Sequence, residues 1–266
     1  MMSDNRPVGF FDSGLGGISV LKTAYCLMPF EDYIYYGDNA NSPYGEKTED
    51  EIKELSLNAG RFLYEKGVKA IVIACNTATS AAVKTMREEF RFPVISMEPA
   101  VKPALGGIKD GKALVLATPA TVSQQRYLNL LDALNAFDRV ISVGCGGLVE
   151  LIEEGRANAR TVSRYLSERL EPIKREKIGA VVLGCTHYSF IEKEITDFIK
   201  ENFNPSCGVY NGREGTARQL KRVLEENGLL RGAGKKGKIE FFTSGDEKET
   251  ERFRKLFYRY NPKREY

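Results

Sequence analysis

The strongest constraint in this chain is a rhythm that runs twice. Short β-rich runs alternate with amphipathic stretches, the pattern of an α/β fold with parallel sheets. Val8–Phe11 reads as a strand, and Gly14, Gly16 and Gly17 open a helix through about Met28. Tyr33–Tyr36 is the second strand. Thr48 to Lys66 is predicted helical, with Thr48 and Glu51 placed as a capping box and Ile52, Leu55, Ala59, Phe62 and Leu63 on one face. Ala70–Ala74, a helix over Thr77–Phe90 and a strand at Pro93–Ser96 complete the first series. The second has strands at Ala113–Ala117, Val140–Val143 and Ala180–Gly184, with helices over about Thr121–Leu134 and from about Leu148.

The strand ends keep step. Asp12 and Thr118 lie 106 positions apart, Gly37 and Gly144 lie 107 apart, and Cys75 and Cys185 lie 110 apart. Three near-equal offsets predict an internal duplication. The expected fold is α/β, with two pseudosymmetric doubly wound domains, mainly parallel sheets and an active site in the cleft between them. A final helix (about Gly215–Asn227), a strand at Ile239–Phe242 and a helix from about Glu249 have no counterpart, and are expected to pack on the first domain. That divides the chain into 1–98 plus 209–266, and 99–208.

Composition narrows the function classes. The net charge is +3 over 266 residues, so no global charge points to nucleic acid. The stretch 218–266 is more basic, with Phe253, Phe257, Tyr258 and Tyr260 interleaved. A solvated helix with an apolar inner face accounts for it better than a nucleic-acid surface. No apolar run approaches the roughly 18–20 residues of a membrane span, and the N-terminus carries no secretory pattern. The five cysteines (26, 75, 145, 185, 207) are odd in number and widely spaced, which fits a reducing cytoplasm better than a disulfide framework.

The third-strand ends, KAIVIACNTA (69–78) and GAVVLGCTHY (179–188), carry the chemistry. Each apolar strand stops at a small residue, then cysteine, then hydrogen-bonding side chains. The carboxyl edge of an open parallel sheet is where such folds place ligands. Two equivalent thiols on a pseudosymmetric frame suit inversion of a carbon bearing hydrogen, which needs a base on one face and an acid on the other. A free thiol titrates near 8.5 and is shifted by a neighbouring base or cation, so thiol and thiolate coexist near neutrality. Asp12 is placed to assist Cys75, and His187, the one histidine in the chain, to assist Cys185. A zinc site from Cys75, Cys185 and His187 lacks a further clustered ligand, so no metal is expected. Cys26, Cys145 and Cys207 read as structural.

Supporting loops stand at the same edges. GFFDSGLGG (9–17) brings backbone amides and a helix start toward an anion, suiting a small carboxylate as well as a nucleotide. GDNANSPYG (37–45) is too rich in Gly, Asn and Pro to be helical and reads as a flap or binding loop. Asn76, Thr77, Thr118, Thr121 and Thr186 are either helix caps or, taken together, an amino-acid cradle.

GFFDSGLGG, YYGDNANSPYG (35–45), ACNTAT (74–79), MEPAVKPAL (97–105), GCTHY (184–188) and FTSGD (242–246) resemble, in order and across nearly the whole chain, the glutamate racemase family of the cofactor-independent aspartate/glutamate racemase superfamily. The resemblance implies interconversion of L- and D-glutamate without a cofactor, supply of D-glutamate to peptidoglycan, a cytoplasmic homodimer, and no nucleic-acid or membrane partner. It makes Cys75 the base toward D-glutamate and Cys185 the base toward L-glutamate, with Asp12, His187 and Glu153 assisting. Substrate contacts carry over to Asp12, Ser13, Pro43, Tyr44, Gly45, Asn76, Thr77, Thr118, Thr121, Thr186 and His187. The text departs from the family pattern in CGGLVELIEEG (145–155), where Gly146 and Glu150 stand in place of two prolines. Alternatives are a sister racemase for aspartate or a hydantoin, a cysteine hydrolase built on Cys185 and His187, and an acidic amino-acid binding protein.

Overall fold

The computed structural model describes residues 4–262 and divides the chain into two compact units, one reaching to Met97 and resuming at Arg213, the other Glu98–Gly212. In chain order the first unit begins with β1 (Val8–Asp12), α1 (Ile18–Leu27), β2 (Tyr33–Gly37), α2 (Glu49–Glu65), β3 (Ala70–Ile73), α3 (Asn76–Glu89) and β4 (Val94–Ser96). The second unit runs α4 (Val101–Gly107), β5 (Lys112–Ala117), α5 (Pro119–Ser123), α6 (Gln125–Ala133), β6 (Val140–Gly144), α7 (Leu148–Glu153), α8 (Ala159–Leu170), β7 (Ile178–Leu183), α9 (Glu192–Asn202) and β8 (Gly208–Asn211). The first unit then resumes with α10 (Arg213–Glu226), β9 (Ile239–Thr243) and α11 (Lys248–Arg259).

Each unit holds one sheet, and every pairing in both is parallel. The first sheet has the order β4-β3-β1-β2-β9 and the second β6-β5-β7-β8. Counted from the start of each unit, both run fourth, third, first, second, with β9 as an extra edge on the first. The shared order is what a duplication leaves behind.

Alternation along the strands feeds a core on each face of each sheet. In the second unit Leu114, Leu116, Val181 and Leu183 pack with residues of α7, α8 and α9, while Val115, Ala117, Ala180 and Val182 pack with residues of α4 and α6. Both faces are covered, so the central strands read as near-continuous apolar runs. In the first unit Phe11, Ile71 and Ile73 pack with residues of α2 and α3. The opposite face carries edge-to-face aromatic pairs, Phe10 with Tyr33 and Tyr35 with Phe253. Each fully buried side chain of this size contributes about 1.5–3 kcal/mol.

Local signals govern the ends. The Thr48 hydroxyl accepts the Glu51 N–H, and the Glu51 carboxylate accepts the Thr48 N–H at 2.8 Å, closing the expected capping box. α11 buries Phe253 and Phe257 and leaves its charged residues outward, the solvated amphipathic helix expected of the basic stretch. Lys263 and Arg264, counted in that stretch, lie outside the described residues. No helix among the described residues is long and apolar enough to cross a membrane.

Several local expectations are corrected. The helix expected over Thr121–Leu134 is two, because Gln124 is extended (ψ 140°) between α5 and α6. The helix from Leu148 stops at Glu153, where Gly155 takes a left-handed φ of 68° and Asn158 then caps α8. The loop 37–45 contains two single 3-10 turns, Asn39–Asn41 and Tyr44–Glu46. α4, α8, α9 and β8 were not anticipated. α4 holds Pro103 and two glycines, and β8 is a four-residue, half-buried edge strand, so both carry weak signals.

Candidate active site

The candidate side chains of the first unit stand at the carboxyl ends of β1, β2 and β3. Asp12 closes β1 and is fully buried, its Oδ1 accepting the Gly14 N–H at 3.0 Å. Gly17 has to be glycine here, since a Cβ would lie 2.6 Å from the Cβ of Asp12. Cys75 follows β3 as the N-cap of α3, with its Sγ accepting the Ala78 N–H at 3.4 Å. The Ser13 hydroxyl lies 3.6 Å from the same sulfur. An amide at a helix N-terminus favours negative charge on that sulfur.

Asn76 and Thr77 follow on the first turn of α3, both buried. Both amide atoms of Asn76 are buried without a hydrogen-bond partner. Leaving such groups unpaired costs about 1–3 kcal/mol.

Tyr44 is buried between half-buried Pro43 and Gly45. Its hydroxyl donates to Asp38 Oδ2 at 2.6 Å, and burial, with the Asp38 charge beside it, pushes its pKa far up, so it stays a neutral donor. Asp38, which sequence reasoning passed over, organises the loop. It also accepts from Asn41 Nδ2 at 3.0 Å and from the Ser244 hydroxyl at 2.5 Å. The signal was an aspartate in a loop resembling a known one; the partner 206 positions away was not legible.

In the second unit Thr118 ends β5 and caps α5, accepting the Thr121 N–H at 3.2 Å, with the two hydroxyls 2.9 Å apart. Pro119 at the first helical position reinforces this start. Thr186 follows Cys185 and is buried. Cys185 follows β7, with Sγ 3.8 Å from His187 Nδ1. His187 Nε2 lies 2.8 Å from Glu153 Oε1, at the end of α7. The structure thus brings Glu153, His187 and Cys185 into one chain. Burial opposes charge on His187, but hydrogen bonds to Cys185 and Glu153 outweigh it and raise its pKa well above the ordinary value. The imidazolium then presents one N–H to the sulfur and one to the carboxylate.

Cys145, at the same edge, is buried with its thiol pushed up to about 12, chiefly by burial, and so stays protonated. Cys26 is exposed and Cys207 buried. Among the described residues, no group of three or more His, Cys, Asp and Glu side chains is placed to hold a metal ion.

The fold and these side chains define a doubled α/β protein with a cysteine at the end of the third strand of each sheet. The Asp/Glu/Hydantoin racemase family model matches residues 23–202. The chain is 48% identical over 246 residues to a glutamate racemase of Clostridium perfringens, covering 92% of this chain and 93% of that one. It superposes on the crystal structure of a Bacillus anthracis glutamate racemase isoform with a TM-score of 0.86 at 29% identity, covering 97% and 96% of the two chains. A Francisella tularensis glutamate racemase in complex with D-glutamate gives 0.82 at 30%, covering 98% and 96%. The chain belongs to the Asp/Glu/Hydantoin racemase family and, within it, to the glutamate racemases.

Proposed function

We propose that this chain interconverts L- and D-glutamate by proton transfer between two thiols and the α-carbon, and so supplies D-glutamate for peptidoglycan. The carrying observation is that each sheet, with the same strand order, ends its third strand in a cysteine flanked by polar groups. A thiolate on one side takes the α-proton: the C–H bond breaks, an S–H bond forms, and the electron pair remains on carbon. The thiol on the other side then gives its proton to the opposite face, leaving a thiolate there. The reverse reaction uses the same pair in exchanged roles. In this assignment Cys75 works with Asp12 and Ser13, and Cys185 with His187 and Glu153.

The substrate's charged ends need donors that do not themselves titrate. Asn76, Thr77, Thr118, Thr121 and Thr186 fit that role, with Asn76 offering an amide that has no other partner. Tyr44, with Pro43 and Gly45, lines the loop of the first unit. Glutamate as substrate draws on the relatives, one of which is described bound to D-glutamate. A homodimer in the cytoplasm is part of the same proposal.

The test is proton NMR of L-glutamate with the purified protein in D₂O without added cofactor. The expected result is loss of the α-proton signal together with decaying optical activity. Cys75→Ala and Cys185→Ala should each cut racemisation by at least about 10³-fold. Full racemisation by either variant overturns the two-thiol assignment. Aspartate turned over faster than glutamate moves the substrate reading to the aspartate side of the family.

A further inference from the structure

The helix that ends in Glu153 buries Leu148, Val149 and Ile152 in the core, but the link that leads into it is built on glycine. Glu153 ends a helix of six residues whose N-cap, Gly147, is left-handed (φ 80°) and makes no side-chain cap. Gly146 precedes it, and two glycines in series give the backbone wide freedom. Glu153 nevertheless holds its carboxylate 2.8 Å from His187 Nε2.

Two phenols supply the missing restraint. The Tyr165 hydroxyl, from α8, donates to the Gly146 carbonyl at 2.8 Å. The Tyr188 hydroxyl donates to the Cys145 carbonyl at 3.4 Å. Tyr188 is fully buried and adjacent in sequence to His187, so its bond ties the link to the segment that carries the imidazole. The Arg169 guanidinium lies over the Tyr165 ring, 5.8 Å from its centroid.

We propose that Tyr165 and Tyr188 are positioning residues, which lock the Cys145–Gly146–Gly147 link and thereby hold Glu153 against His187. The hydrogen bonds carry the geometric part. Its kinetic consequence rests on the racemase assignment above.

The chain contains one histidine, so the His187 ring proton signal can be titrated by NMR without assignment. The groups that interact with it are Cys185 and Glu153. In the native protein the imidazolium should persist well above the ordinary midpoint near 6.5. Tyr165→Phe keeps the ring and removes the hydroxyl. It should lower the midpoint by about one pH unit and cut kcat about fivefold, the effect of one lost hydrogen bond, with KM nearly unchanged. Adding Gly146→Ala should restore both. A Cβ there meets nothing closer than Pro119 Cγ at 3.6 Å, and it stiffens the link.

An unmoved midpoint in Tyr165→Phe overturns the proposal. So does a fall in kcat without a change in midpoint, which would make the tyrosine a stability residue only. If Tyr165→Phe does not fold, Tyr188→Phe frees the other carbonyl, and an unmoved midpoint there overturns the proposal equally. If the native protein does not racemise glutamate, the titration still reports on the link, and the functional assignment alone falls.

Discussion

Replacing Glu153 by Gln keeps the shape of the side chain and one hydrogen-bond acceptor for His187 Nε2, but removes the charge. The pair is 2.8 Å apart, with side-chain exposures of 3% for His187 and 20% for Glu153. Breaking a buried ion pair from one side costs about 3–5 kcal/mol. The retained acceptor and the partial exposure of Glu153 reduce this to about 2 kcal/mol. At about 2.1 cal/mol/K per residue, a chain of 266 residues unfolds with an entropy near 0.56 kcal/mol/K, so the variant should melt roughly 4 °C lower.

The pH dependence separates this from a simple packing loss. His187 has a folded pKa raised above its unfolded value. Its contribution is therefore present in full below about pH 6.5 and is lost as pH rises through the folded pKa. In the variant the carboxylate's part of the rise is gone; burial opposes charge on the imidazole, and only the bond to Cys185 still favours it. The melting difference should be greatest near pH 6 and shrink toward pH 9, by at most about 1.4 kcal/mol per pH unit. Differential scanning calorimetry of both proteins from pH 6 to 9 measures it. A difference that is flat with pH, or grows as pH rises, refutes a charged His187 held by Glu153.

Lys69 and Glu31 form a fully buried pair at 2.6 Å, and Lys69 also donates to the Asp4 carbonyl at 2.8 Å. Lys69→Met should cost about 3–5 kcal/mol, whereas Lys69→Met with Glu31→Leu should recover most of it; urea unfolding of both variants decides, and equal losses would contradict a charged pair. Asn76→Ala removes two unpaired buried atoms, so the small cavity and the relieved polar burial should nearly cancel, within about 1 kcal/mol. Its kcat/KM for glutamate should still fall at least about 10²-fold, and a large loss of stability with normal kinetics would make Asn76 structural.

Legibility differed by the range of the interaction. The Thr48–Glu51 box closes over three residues, and its residues can be read off the text together with the helix they start. The apolar runs before Cys75 and Cys185 were equally plain, because central parallel strands need no alternation. What failed was either punctuated or distant. Gln124 splits a helix at a residue with no strong breaking tendency, and β8 is too short and too exposed to announce itself. Asp38 receives Ser244 from the far end of the chain. Tyr165 acts on Gly146 through a hydroxyl whose reach depends on how α8 packs. The candidate side chains at the strand ends follow apolar runs that the sequence displays; the groups that hold them in place are set by tertiary packing, which it does not.

Duplication produced two equivalent strand ends without two equivalent acid–base partners. Cys75 caps a 14-residue helix and receives the Ala78 N–H, so aligned amides favour its thiolate. Cys185 precedes a 3-10 segment, Thr186–Ile191, and makes no side-chain cap. Its partner is instead the His187 imidazolium, backed by Glu153. Racemisation tolerates the mismatch because the two enantiomers of free glutamate have equal free energy. The ratio kcat/KM must then be the same in both directions whatever the residues, and only kcat and KM individually can differ. The two devices respond differently to pH, however. Helix amides do not titrate, whereas an imidazolium does. Under the two-thiol assignment, the second unit therefore loses its partner's charge as pH rises through the raised His187 pKa, whereas the helix amides at Cys75 stay unchanged across the same range.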